Sequence, residues 1–216
     1  VHRLWRRAGQ VIDAAARPPI RVGLYGGTFD PIHNGHLLCA EETLEAFAFD
    51  EFWFIPSARP PHKPVDPSRA TPEDRYRMVC LATEGHQTFR VSRAEIDRPG
   101  RSYAVDTVRE FREQYGENAE FSWVLGADSL IDFEIWKDGD ALLDMCQVVA
   151  VTRPEYDLAR VPTQVREKAE FFTITGIGIS STDIRARVAE GRSIRYRTAA
   201  AVAAHIAERD LYRVAG

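Results

Sequence analysis

Six short apolar runs alternate with longer segments of helical period, and this alternation leaves one economical architecture, a mainly parallel sheet wrapped by helices on both faces. The runs at residues 21–25, 51–56, 89–96, 120–125, 147–152 and 170–175 read as strands. Helix starts between them carry recognisable signals. Thr71-Pro72-Glu73-Asp74 offers an N-cap, a first-turn proline and two acids suited to the positive helix end. Ser102 reads as the cap of a helix containing Val105, Val108 and Phe111, which Gly116 ends. Leu37, Ala40, Leu44 and Phe47 fall on one helical face, so their helix packs on the sheet and its start points at the sheet's carboxyl edge. Open α/β sheets bind ligands at that edge. Proline-rich residues 58–67 read as one long surface loop.

The 216 residues, 44% hydrophobic and 28% charged, suffice for one substantial core. We expect a single domain over residues 20–216, with residues 1–19 an extension to which no role is assigned. A net charge of -4 disfavours a nucleic-acid or anionic-membrane surface, so an anionic ligand must meet a local basic pocket. Cys39, Cys80 and Cys146 lack metal-ligand spacing and are expected to be reduced thiols, with no zinc site. No apolar run reaches the roughly 18 residues needed to span a bilayer, and the basic start has no secretory-type stretch. A cytoplasmic location is the expectation. Oligomeric state is not legible.

The most informative stretch is Gly26-Gly27-Thr28-Phe29-Asp30-Pro31-Ile32-His33-Asn34-Gly35-His36, running from the first strand into a helix. Two glycines let backbone amides approach a ligand, Thr28 offers a hydroxyl, and two histidines three apart can face one anion. A phosphate is the natural occupant; a tight turn with polar helix-start residues is the plainer alternative. A second anion candidate is Gly178-Ile179-Ser180-Ser181-Thr182-Asp183-Ile184-Arg185, where hydroxyls cap a helix and Arg185 adds a forked cation in its first turn. Taken alone it also fits a simple cap followed by a surface arginine. Gly126-Ala127-Asp128-Ser129 ends a strand, and Asp128 there suits either a ribose hydroxyl or a cap. Neither a P-loop nor a dinucleotide GxGxxG pattern is present.

Together these segments resemble the nucleotidyltransferase superfamily marked by a histidine-x-glycine-histidine motif and a late I-S-x-T-x-I-R motif. More closely, residues 22–213 resemble the bacterial nicotinate-nucleotide adenylyltransferases. Pro60-Pro61-His62-Lys63, Arg101-Ser102-Tyr103 with Asp106-Thr107, Gly126-Ala127-Asp128-Ser129, Trp136 and the Ile179–Arg185 segment follow that family's order. The resemblance implies a Rossmann-like fold and adenylyl transfer from ATP to nicotinate mononucleotide. It implies that His33, His36 and Arg185 are catalytic and that Gly26, Gly27, Thr28, Phe29, Gly126, Asp128, Ser180 and Thr182 bind ATP. It assigns the mononucleotide to His62, Lys63, Ser102, Tyr103, Thr107 and Trp136, although without it the aromatics read as core and the His-Lys pair fits a phosphate contact or a solvated loop equally well. Mg2+ is expected to arrive on ATP oxygens, without dedicated protein ligands.

Two positions depart from the family pattern. Ala104 stands where a threonine usually follows Ser-Tyr, and Tyr196-Arg197-Thr198-Ala199 replaces an expected leucine and proline. Other acceptors for the same transfer, and a silent nucleotide sensor, are the rival readings. The intact His33, His36 and Arg185 argue against the sensor.

Overall fold

The computed structural model describes residues 18–61, 69–154 and 156–213. His62 and Lys63, with the rest of the proline-rich loop from residue 62 to 67, and most of the N-terminal extension lie outside the described residues.

Six strands form one sheet in the order β3-β2-β1-β4-β5-β6, every neighbour parallel. They are β1 (Ile20–Gly27), β2 (Glu51–Pro56), β3 (Phe89–Val91), β4 (Ala119–Gly126), β5 (Gln147–Thr152) and β6 (Glu170–Thr173). The helices are α1 (Asn34–Phe47), α2 (Pro72–Thr83), α3 (Ala94–Asp97), α4 (Ala104–Tyr115), α5 (Gly139–Met145), α6 (Thr163–Lys168), α7 (Ser181–Ala189) and α8 (Ala200–Glu208). Strand order reverses direction between β1 and β4, whose carboxyl ends therefore flank the crevice where doubly wound sheets place ligands.

Alternation along the strands sends side chains to two separate cores. Val22, Leu24 and Ile55 join Val105, Val108 and Phe111 of α4, Leu142 of α5 and Val165 of α6 on one face. Tyr25, Phe52 and Phe54 join Cys39 and Ala40 of α1, Met78 and Val79 of α2, and Val202 and Ile206 of α8 on the other. Phe52 and Phe54 are fully buried, and truncating either to alanine should cost about 3–5 kcal/mol.

Local signals hold at two sites and fail at two. Thr71 Oγ1 accepts the Asp74 amide at 3.1 Å and caps α2, and Gly116, at φ 68°, closes α4. The expected third strand is too long: after Val91 the Ser92 hydroxyl accepts the Ala94 amide at 3.1 Å, and residues 94–97 coil into α3. Ser102 does not cap α4. Tyr103 occupies that position without a side-chain bond, and Ser102 Oγ accepts the Arg59 amide at 3.3 Å instead. The atypical Tyr196–Ala199 segment packs well: Thr198 is buried and donates to the Ile32 carbonyl at 2.8 Å, while Tyr196 turns outward at φ 65°. Among the described residues no helix is long and apolar enough to cross a membrane. None of the three cysteines is in a disulfide.

Candidate active site

Two clefts open at the carboxyl edge of the sheet and meet at Phe29, His36 and Ser181, which line both. The smaller, about 320 Å³, lies over the ends of β1 and β4, bounded by Gly26, Gly27, Gly126 and Asp128. The larger, about 1110 Å³, runs from Thr28 and His36 past Thr182 and Arg185 to residues 58–61 and 100–101.

The two histidines are organised by the start of α1. His33 is its N-cap, and the ring Nδ1 accepts the His36 amide at 3.3 Å; His36 Nδ1 in turn accepts the His33 amide at 3.2 Å. This is a capping box in which imidazoles replace the usual hydroxyl and carboxylate. The rings stack 3.7 Å apart, inclined by 19°. Because each Nδ1 is an acceptor, each neutral ring carries its proton on Nε2, so the helix cap also sets the tautomer. Burial, reinforced by the nearby Arg153 cation, lowers the His33 pKa from 6.5 to about 4, so this ring is neutral at physiological pH. Gly35 keeps room for it, since a Cβ there would stand 3.1 Å from the His33 ring.

The two glycines that end β1 have a different reason than ligand approach alone. A Cβ on Gly26 would come within 2.4 Å of the Trp123 ring, and one on Gly27 within 2.7 Å of Phe29. Their missing side chains make way for the protein's own aromatics.

Across the junction, Ser180 Oγ accepts the Asp183 amide at 3.1 Å and caps α7, and Ser181 Oγ donates to the Pro31 carbonyl at 2.9 Å. Arg185 is largely buried; its guanidinium donates to the Asp30 carbonyl at 2.6 Å and to Thr182 Oγ1 at 3.0 Å. The amino ends of α1 and α7 thus converge, each presenting backbone amides and the positive end of a helix dipole.

Asp30, which sequence reading passed over, ties this junction together. Its buried carboxylate accepts from Tyr212 Oη at 2.7 Å, the Ala70 amide at 3.3 Å and Arg69 at 3.2 Å. Burial against that carboxylate pushes the Tyr212 phenol far above its ordinary pKa. Arg75 was also missed: it is buried and donates to the carbonyls of Thr28 at 2.7 Å and Ala58 at 3.1 Å, joining the β1–α1 loop to the far wall. Burial lowers its pKa. These partners are 17 to 182 positions away, so no local spacing announces them. Among the described residues that line the larger cleft, Arg59, Arg69, Arg75, Arg101 and Arg185 face a single carboxylate, Asp30. This is the local basic pocket that a chain of net charge -4 needs for an anionic ligand.

The remaining candidate residues stand apart. Among the described residues that line the two clefts, Ser102, Tyr103, Thr107 and Trp136 do not feature. Thr107 is fully buried, donating to Glu95 Oε1 at 2.8 Å and accepting from Arg98 at 3.1 Å. Direct contact with a substrate would require it to leave that cluster. Tyr103 is half-buried with Lys137 Nζ 4.8 Å from its ring centre, and Trp136 leans on Phe133 at 5.6 Å.

This geometry agrees with what the chain is similar to. The model of the cytidylyltransferase-like family matches residues 24–187. A Moorella thermoacetica protein named "Probable nicotinate-nucleotide adenylyltransferase" is 45% identical over 90% of this chain and 93% of its own length. A Thermus thermophilus protein of the same name is 46% identical over 90% of this chain and its whole length. In fold, the chain matches the Plasmodium falciparum nicotinic acid mononucleotide adenylyltransferase complexed with NaAD, at a TM-score of 0.72 and 17% identity, over 89% of this chain and 97% of that one. With strand order, paired histidines and the α7 arginine in place, the chain belongs to the cytidylyltransferase-like family and, within it, to the nicotinate-nucleotide adenylyltransferases.

Proposed function

We propose that this protein transfers the adenylyl group of ATP to nicotinate mononucleotide, giving nicotinate adenine dinucleotide and pyrophosphate, a step of NAD biosynthesis. The observation that carries the reading is the reciprocal histidine cap of α1 standing beside Arg185 of α7, where both clefts meet. A phosphate oxygen of the mononucleotide attacks the α-phosphorus of ATP, and the bond from that phosphorus to the bridging oxygen of pyrophosphate breaks. With a second pKa of about 6, the attacking phosphate is already largely ionised at neutral pH and needs no strong base. What the protein supplies is position and charge stabilisation.

In this reading the smaller cleft takes the adenosine, with Gly26, Gly27, Phe29 and Gly126 against it and Asp128 accepting from ribose. His33 and His36 direct their Nε2 protons at the triphosphate, His36 serving the α-phosphate. Arg185, Thr28, Ser180 and Thr182 hold the β- and γ-phosphates. The acceptor occupies the larger cleft. His62 and Lys63 contact it, Tyr103 and Trp136 adjust to stack on the pyridine, and Ser102 and Thr107 act from behind the wall.

Mg2+ enters as the counter-ion of ATP, because it sheds water reluctantly and rides on substrate phosphates. Among the described residues no group of three or more His, Cys, Asp or Glu side chains could hold a metal ion. Asp30, the buried carboxylate of the cleft, is engaged by Arg69, Ala70 and Tyr212. Thiols outside disulfides suit a reducing cytoplasm, where we place the activity.

The arginine-lined wall also favours the acid over its amide. One or two charge-assisted bonds of roughly 1.5–3 kcal/mol imply at least a tenfold preference in kcat/KM. The test incubates purified protein with MgATP and nicotinate mononucleotide or its amide, identifying the dinucleotide and pyrophosphate by mass spectrometry. No dinucleotide from either would overturn the activity, and equal efficiencies would overturn the acceptor assignment.

A further inference from the structure

Glu95, in the single turn of α3, is only 3% exposed and has no part in the reaction described above. Burial pushes its carboxyl pKa up. A carboxyl so placed is poorly explained by stability, since apolar residues of similar volume usually serve a core as well or better. Thr107 donates to Oε1 at 2.8 Å, and Arg98 donates to the same threonine oxygen at 3.1 Å while its other nitrogen pairs with Glu110. The hydroxyls of Ser57 and Ser102 approach the carboxyl and favour its charged form, although Oε2 lacks a hydrogen bond of good geometry. Four segments therefore converge on one side chain: the end of β2, α3, the loop before α4, and α4 itself.

Two of those segments build the far wall of the larger cleft. Ser102 Oγ accepts the Arg59 amide at 3.3 Å, and the Ser102 amide donates to the Arg59 carbonyl at 3.0 Å. Arg59 and Arg101, the neighbours of this clamp, both line the cleft. The donor side has its own anchors in the histidine cap and Asp30, and Arg75 alone among the bonds named above links it to this wall, through Ala58. We infer that Glu95 is a positioning residue, holding residues 57–59 and 101–102 in register from behind so that the wall facing the acceptor keeps its shape. The inference rests on the acceptor assignment proposed above.

The test is steady-state kinetics of the full chain with each substrate varied in turn, for wild type, Glu95→Gln, Thr107→Val and Thr107→Ser. Loss of the Thr107 hydrogen bond in Thr107→Val, or of one acceptor oxygen in Glu95→Gln, should raise the KM for nicotinate mononucleotide about threefold to tenfold. The KM for ATP should stay within about twofold of wild type, and Thr107→Ser, which keeps the hydroxyl, should recover most of the mononucleotide affinity that Thr107→Val loses. Should Glu95→Gln fail to fold, the two threonine variants decide. Unchanged mononucleotide KM values, parallel rises for both substrates, or equal impairment of the serine and valine variants would overturn the inference while leaving the activity standing. A wild type that forms no dinucleotide would overturn both.

Discussion

At the start of α1, His33 and His36 fix one another three positions apart. Across the larger cleft Arg59 is held by Ser102, 43 positions away, and Ser102 in turn neighbours Glu95, to which Thr107 donates. The first wall is self-assembled within one helix turn: whatever folds α1 also orients both rings. The second is borrowed, since its loops take their shape from a buried cluster that reaches no ligand. A site made in the first way loses chemistry when damaged, whereas one made in the second way loses fit.

The sharpest break in that contrast would come from His36→Ala. Removing a preorganised donor from charge that grows in the transition state typically costs roughly 10²- to 10³-fold in turnover. We expect a loss of kcat of that size, with the KM for ATP changed far less, measured at saturating mononucleotide. A folded variant with near-normal turnover would remove His36 from the chemistry.

The next effect concerns stability rather than rate. His33 is depressed from 6.5 to about 4 because burial disfavours its charged form. The unfolded chain therefore takes up the proton first. Stability present above pH 6.5 is lost as pH falls towards about 4, by about 3 kcal/mol in all, and flattens below. Urea unfolding of wild type and His33→Asn, which keeps a capping side chain, should show that slope only in wild type. Equal slopes would mean the ring is not held neutral by its site.

The smallest expected effect is that of Arg185→Lys. An ammonium keeps the charge but cannot span the Asp30 carbonyl and Thr182 Oγ1 as the guanidinium does. A roughly tenfold rise in the KM for ATP should follow, with the mononucleotide KM nearly unchanged. Equal weakening of both substrates would recast the arginine as a structural strut and blur the distinction between the walls.

The same contrast explains what could be read from sequence. The sheet class was legible because strand and helix periods depend on neighbours only, and five of the six expected strands lie where strands form; the third was drawn too long because Ile96 continued an apolar pattern that Ser92 interrupts. The helix starts that carry His33, His36 and Arg185 were legible because cap spacing is local. That the two histidines cap each other's backbone was not anticipated, since imidazoles rarely fill both places of a capping box. Asp30, Arg75 and Glu95 escaped because their partners lie on other elements. Thr107 matched a family pattern, yet only burial shows that its hydroxyl faces inward.

The long-range tie of Asp30 to Tyr212 sets a timetable for the chain's birth on the ribosome. The first strand and the histidine loop are made early, but the phenol that satisfies Asp30 follows 182 positions later. At translation speeds of about 5–20 residues per second, the loop waits about 9–36 s for that partner. Arg69 and Ala70 reach the Asp30 carboxylate sooner and Arg75 ties the loop at Thr28, but until Tyr212 docks the carboxylate lacks the last of its partners. Competence for catalysis is therefore acquired only after Thr198 and Tyr212 dock, rather than when the motif itself emerges.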